Sequence, residues 1–280
     1  MEFYIASDLH YGVNKRGNTN TEALARHVCE NPTDALIIAG DIGSDPETLA
    51  MCLSLFEGFE GRKLAVPGNH DVWTKGWQTS DSWTIHETLM PDLLEAHGFA
   101  PLHLDPVILD EVAFVGSMGW YDYTFRDEIG IDIEHYRSKT PPWSSVPIWS
   151  DARYANFQHS DEELTALLVK RLAHHLSQVP KARQVVGVVH HVVTKPLLVH
   201  PREMVPKLWR YANAFLGSER FGDLLRGDPR VVQVFCGHIH MERSCRWPGC
   251  ACTCVGGNYK VKQLLRASPQ KVLEKLNFDS

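Results

Sequence analysis

Five short apolar runs in this 280-residue chain each stop at a cluster of polar, metal-binding residue types. That recurrence constrains the fold more than any other feature. The runs are residues 3–7, 35–39, 64–67, 185–189 and 231–236, exemplified by Ala35-Leu36-Ile37-Ile38-Ala39 and Val231-Val232-Gln233-Val234-Phe235-Cys236. Runs of this length, bounded by turn signals, suit strands buried on both faces. Helical stretches lie between them. Asp45-Pro46 opens one, with proline at the first helical position. Ser160-Asp161-Glu162-Glu163 opens another as a capping box, followed by Leu164, Leu167, Leu168, Leu172 and Leu176 at helical spacing. Ser218 caps a third, to about Arg226, and residues 107–118 read as a hairpin turning through Asp110-Glu111. Alternating strands and helices define an α/β fold. We read one domain over 1–280 with two insertions, at about 119–159 and 192–217.

The bulk properties narrow the function. Hydrophobic residues are 44% and charged residues 22%, so the chain buries a core and is not disordered. No apolar run reaches membrane-spanning length and no secretory signal opens the chain, so no membrane partner is expected. A net charge of −6 with no basic stripe argues against a nucleic-acid polymer as partner. Seven cysteines, an odd number, exclude a complete disulfide framework, and a cytoplasmic location fits. Cys29, Cys52 and Cys236 read as small hydrophobes in apolar stretches. Pro248-Gly249 reads as a turn that sets Cys245 opposite Cys252. Cys245, Cys250, Cys252 and Cys254 are read as reduced packing residues, a cross-strand disulfide or a weak metal site being the alternatives.

The clusters that end the runs are Asp8-Leu9-His10, Gly40-Asp41, Gly68-Asn69-His70-Asp71, His190-His191 and Gly237-His238-Ile239-His240. Ligands of open α/β sheets bind beyond the carboxyl ends of strands, so all five can meet at one edge. Carboxylate, amide oxygen and imidazole suit hard-to-borderline divalent ions. Taken singly, Asp-x-His and Gly-Asp are ordinary turn sequences. Gly-Asn-His-Asp, however, is expected about 0.002 times by chance at this chain's residue frequencies, and Gly-His-x-His about 0.06 times.

With these five motifs in this order over residues 8–240, the sequence resembles the calcineurin-like metallophosphoesterase superfamily. The resemblance implies a four-layer αββα sandwich, two mixed β-sheets faced by helices, with a two-metal centre between the strand-end loops. By position, Asp8, His10, Asp41 and His240 would hold one ion. Asp41, Asn69, His190 and His238 would hold the other, with Asp41 bridging. His70 would face the substrate. After His190-His191 the chain continues Val192-Val193-Thr194-Lys195-Pro196, a departure from the family's pattern that leaves both histidines eligible, the strand end favouring His190. Sites of this chemistry accept manganese, iron or zinc.

The expected reaction is hydrolysis of a phosphate ester by a hydroxide bridging two ions about 3.5–4 Å apart. Two divalent ions, two aspartates, one hydroxide and neutral ligands leave the centre at about +1, which attracts an anionic ester. His70 as imidazolium would protonate the leaving oxygen or stabilise the equatorial oxygens, and Asp71 would either hold its tautomer or cap the turn. Residues 119–159, crowded with aromatic rings, are expected to form a lid or wall, with Trp120, Tyr121 or Tyr123 binding substrate at the leaving group, packing of any one ring onto the domain being the alternative. His86, His97, His103, His135, His159, His174, His175 and His200 have no motif and are placed on the surface. No motif supplies the Arg or Lys clamp that favours a dianionic monoester, so a small phosphodiester such as a nucleotide is the expected substrate. The alternatives are a phosphomonoesterase or protein phosphatase, and a non-catalytic metal-binding scaffold, which would be expected to have lost ligands retained here.

Overall fold

The computed structural model describes residues 1–127, 129–179, 183–198 and 207–279. Its strands in chain order are β1 (Phe3–Ala6), β2 (Ala35–Ala39), β3 (Arg62–Val66), β4 (Phe99–Pro101), β5 (Val107–Leu109), β6 (Val112–Ser117), β7 (Gln184–Val189), β8 (Val231–Cys236), β9 (Arg243–Trp247), β10 (Cys250–Cys254), β11 (Lys262–Ser268) and β12 (Lys271–Phe278). They form two six-stranded sheets, ordered β12-β11-β1-β2-β3-β4 and β5-β6-β7-β8-β10-β9. Within the first, β1 to β4 run parallel, and β11 runs antiparallel to both β1 and the edge strand β12. Within the second, β6, β7, β8 and β10 run parallel between antiparallel edges. Both sheets are therefore mixed.

Side-chain alternation divides each strand between two cores. Phe3 and Ile5 join Ile37, Leu64, Val66, Phe114, Val186, Val188 and Phe235 in the cluster between the sheets. There the ring of Phe3 meets those of Phe114 and Phe235 edge to face, at 5.4 and 6.0 Å. Tyr4, Leu36 and Ile38 join the other cluster, with Leu24 and Val28 of the helix Lys15–Glu30. The helices Asp161–Gln178 and Glu219–Arg226 give Leu164, Leu168, Leu172, Phe221 and Leu225 to that cluster. The result is the four-layer αββα sandwich.

Local signals worked as chemistry requires. Asp45 caps Pro46–Ser54, Ser160 closes a reciprocal capping box with Glu163, and Ser218 caps Glu219–Arg226. Asp110 takes the left-handed conformation that turns the β5–β6 hairpin, and Gly249 turns β9–β10. Cys245 and Cys252 are direct cross-strand partners, and all seven cysteines are free thiols. Three histidines expected on the surface are buried. His86 and His103 pack edge to face at 4.7 Å, and His175 reaches the Leu104 carbonyl at 2.9 Å. His97 and His135 are half-buried, His159 and His174 are exposed, and His200 lies outside the described residues.

Candidate metal centre

All five polar clusters meet at the carboxyl edge, because parallel strands end on the same side. The loops after β1 and β2 keep pairing past the sheet: Asp8 N–H donates to the Gly40 carbonyl at 3.0 Å and His10 N–H to that of Asp41 at 2.8 Å. His70 N–H donates to Asp41 Oδ1 at 3.0 Å. His238 N–H, from the second sheet, donates to both oxygens of Asp8 at 3.1 Å. Asp8, His10, Asp41, His238 and His240 all adopt positive φ, between 43° and 71°. Left-handed backbone at a residue with a Cβ costs about 1–2 kcal/mol, although Asp and His tolerate it better than most. Such strain concentrates where a site needs it. The glycines exist for approach: a Cβ on Gly68 would lie 2.1 Å from Asp41 Oδ1, and one on Gly237 would lie 1.9 Å from Ser7 Oγ.

Two donor groups result, Asp8 with His10, Asp41 and His240, and Asp41 with His190 and His238. The donor atoms within each group lie within 4.8 Å of one another. Asp41 belongs to both, as a bridging carboxylate would. His10 Nε2 and His240 Nε2 are 2.9 Å apart, and His240 Nε2 is 3.4 Å from Asp8 Oδ1. Ligands on a common ion, each about 2.0–2.2 Å from it, have this mutual spacing. His190 Nε2 lies 3.4 Å from Asp41 Oδ1 and 3.3 Å from Asn69 Oδ1, while its Nδ1 bonds the Ala39 carbonyl. His191 instead turns Nδ1 to the Met118 carbonyl, its ring 4.3 Å from that of His238. His238 Nε2 is buried without a hydrogen-bond partner. Carboxylate oxygens, an amide oxygen and imidazole nitrogens gathered this closely, with one carboxylate common to both groups, fit cations.

Electrostatics agree. Burial pushes the Asp41 carboxyl up, yet His190, His70 and His10 outweigh it and hold the group well below the carboxylate range. Burial likewise opposes ionisation of Asp8, but His240 holds it low. His10 is pushed down to about 3, chiefly by burial, and His238 well below its ordinary value by burial and the neighbouring His191 and His190. His190 goes up to about 10 because Asp41 and Asp8 outweigh its burial. Without a cation, its proton balances the aspartates.

His70 belongs to neither donor group. Its ring stacks on Trp73 at 3.8 Å, and Nε2 lies 3.9 Å from Asp41 Oδ2. Of the two roles open to Asp71, it does not bond this ring but caps backbone turns. Its Oδ1 accepts from Ile42 and Gly43 N–H at 2.9 and 3.0 Å, and its Oδ2 from Gly68 N–H at 2.7 Å, so it ties two strand-end loops together. The cleft over the donors has a volume of about 290 Å³. Its walls include Trp73, Ile148, Trp149, Trp209, Leu216 and Tyr259, and no Lys or Arg lines it among the described residues.

The segment 119–159 does form a wall, but through Ile148–Asp151. Trp120, Tyr121 and Tyr123 are at most 1% exposed and lie off this cleft. Trp120 Nε1 and the Tyr123 hydroxyl donate to Asp161, and the Tyr121 hydroxyl donates to Asp151. Their polar tips are spent on the half-buried carboxylate of Asp161 and the buried one of Asp151, which packs the segment onto the fold, and the three rings line a separate cavity of about 400 Å³. Three participants carried no motif. Asp151 is buried against Asn69, Lys262 donates to the Asp8 carbonyl at 3.1 Å from behind the site, and Tyr259 stands 4.4 Å from the His10 ring.

The sequence profile of the calcineurin-like phosphoesterase family matches residues 1–242. No curated protein sequence matches the chain. Among solved structures, the chain is similar to phosphopantetheinyl hydrolase from Mycobacterium tuberculosis, with 20% identity, a TM-score of 0.67, and coverage of 92% of this chain and 90% of that one. It is also similar to a dimetal phosphatase from Danio rerio, with 13% identity, a TM-score of 0.51, and coverage of 100% and 98%. The protein TT1561 of Thermus thermophilus matches with 10% identity, a TM-score of 0.58, and coverage of 99% and 98%. At these identities the likeness speaks for the fold alone.

Proposed function

Because this chain belongs to the calcineurin-like phosphoesterase family, we propose that its cleft hydrolyses a small phosphodiester carrying an apolar or aromatic ester group. The observation that carries this reading is the lining: imidazoles and carboxylates on the floor, aromatic and aliphatic side chains on the walls, and no cationic side chain among the described residues. A dianionic monoester gains most from an Arg or Lys clamp. A monoanionic diester needs less charge, and its second ester group needs a surface such as Ile148, Trp149, Trp209 and Leu216 offer.

Asp8, His10, Asp41 and His240 would hold one ion, and Asp41, Asn69, His190 and His238 the other. Two such ions supply charge neutralisation on the phosphoryl oxygens and an activated water nucleophile. The chain's own residues do the rest. His70, backed by Trp73, presents an imidazole at the cleft and delivers a proton to the leaving oxygen. Asp71 holds the Asp41 and Asn69 loops at a fixed spacing. The apolar walls exclude water from the ester.

The test compares bis-p-nitrophenyl phosphate with p-nitrophenyl phosphate under added manganese, iron or zinc, with a phosphopantetheinyl ester as a third substrate suggested by the similar hydrolase. We expect the diester to be hydrolysed with at least tenfold higher kcat/KM. A monoester preference overturns the diester reading. With an alkyl diester, whose leaving alkoxide needs a proton as p-nitrophenolate does not, His70→Ala is expected to lower kcat by roughly 100-fold or more with both ions retained, as loss of a general acid does. Loss of an ion in that variant would make His70 a ligand instead.

A further inference from the structure

We propose that Asp151 is a positioning residue of this centre: from the segment 119–159 it determines which end of the Asn69 amide faces Asp41 and His190. The proposal rests on the reading of Asn69 as a ligand. Asp151 is 1% exposed, and its carboxylate meets four donors. Oδ1 accepts from Asn69 Nδ2 at 2.9 Å and Trp73 Nε1 at 2.8 Å. Oδ2 accepts from Trp149 Nε1 at 2.8 Å and the Tyr121 hydroxyl at 3.2 Å. A carboxylate offers about four acceptor positions, so its capacity is met.

The chemistry of an amide makes this arrangement directional. Asn69 can give a cation only its oxygen, and its two ends differ little in shape. A carboxylate accepts and cannot donate, so it selects the NH₂ end of Asn69. The oxygen is thereby turned the other way, to a point 3.3 Å from His190 Nε2, beside Asp41. The same oxygen of Asp151 fixes Trp73, whose ring backs His70. Groups that orient a ligand in this way are typically worth 10–100-fold in metal affinity.

The test titrates the full chain with manganese, reading bound ions by equilibrium dialysis with elemental analysis and pairing of ions by electron paramagnetic resonance. Wild type is expected to take two ions and show a spin-coupled signal. Asp151→Asn, which puts an NH₂ group into this cluster of donors, is expected to weaken the second ion by roughly 10–100-fold and leave the six-line spectrum of an isolated ion. Asn69→Asp combined with Asp151→Asn reverses the polarity of the pair. In that double variant either oxygen of the introduced carboxylate can bind the ion while the other accepts from the introduced amide. It is expected to recover the coupled signal. Tyr121→Phe removes one donor from the Asp151 carboxylate and is expected to keep both ions. Two outcomes overturn the proposal: tight binding of both ions by Asp151→Asn, or a double variant no better than that single one while Tyr121→Phe binds normally. If Asn69→Ala retains both ions with wild-type affinity, the ligand reading itself falls.

Discussion

The most exacting residue of the site carries no side chain. Gly68 N–H donates to Asp71, and the space a Cβ would take is filled by Asp41 Oδ1 at 2.1 Å and Asp41 N at 2.5 Å. In Gly68→Ala the methyl group must displace the carboxylate common to both donor groups or push the loop after β3 outward. A displacement near 1 Å can cost about 100-fold in rate. We expect kcat/KM for the diester to fall by at least that factor, with manganese stoichiometry below two. Gly58→Ala is the control, since its nearest neighbour would be Cys29 Sγ at 3.7 Å, an ordinary contact. Asp71 shows where residue-scale reading stops. Adjacency to His70 suggested a partner for that ring, but the turn over His70–Val72 carries Asp71 inward, to amides of a loop nearly thirty positions away.

At the scale of elements, what could be read followed the range of the interaction. Capping boxes, proline at a first helical position and turn residues act within four positions, and Ser160, Asp45, Asp110 and Ser218 behave as their neighbours dictate. The helix Lys15–Glu30 has a local start signal in Asn14, whose side chain accepts from Gly17 N–H at 2.9 Å, but no apolar run or box, and the β11–β12 hairpin is defined by its pairing. The polar tips of Trp120, Tyr121 and Tyr123 go to Asp161 and Asp151, partners 30 or more positions away that no local pattern announces. One long-range contact between elements makes a pH prediction. Arg171, on the helix Asp161–Gln178, grips Glu87 through two bonds of 2.7 and 2.8 Å, and His86 Nδ1 lies 2.7 Å from the same carboxylate. Burial pushes Glu87 up, but His86 and Arg171 outweigh it and bring it down to about 2. A carboxyl depressed in the fold contributes stability above its unfolded value of about 4.3 and loses it as pH falls toward 2. In urea titrations between pH 6 and pH 3, Glu87→Gln is expected to be less stable than wild type at pH 6, with the gap narrowing as pH falls. A gap that stays constant over this range would show that the pairing contributes nothing through its charge.

At the scale of the whole molecule, the donors divide between the sheets. Asp8, His10, Asp41 and Asn69 follow β1, β2 and β3 of one, while His190, His238 and His240 follow β7 and β8 of the other. Each donor group draws on both sheets, so an ion bound there ties the two halves of the sandwich at their open edge. Without a cation that edge holds two low-titrating aspartates among crowded imidazoles, on backbone that is left-handed at five donor residues. A cation held there needs ligands that only the folded sandwich brings together, so its binding is linked to folding. An ion at one hundred times its Kd adds about 2.7 kcal/mol per site if it binds only the folded state. At roughly 2–4 °C per kcal/mol, saturating manganese is expected to raise the Tm of chelator-treated protein by about 5 °C or more. Asp41→Asn, which weakens the bridge between both groups, is expected to lose most of this shift, whereas His70→Ala, outside both, retains it. Scanning calorimetry with and without manganese separates the cases, and an unchanged Tm in wild type would mean that the two sheets do not share an ion.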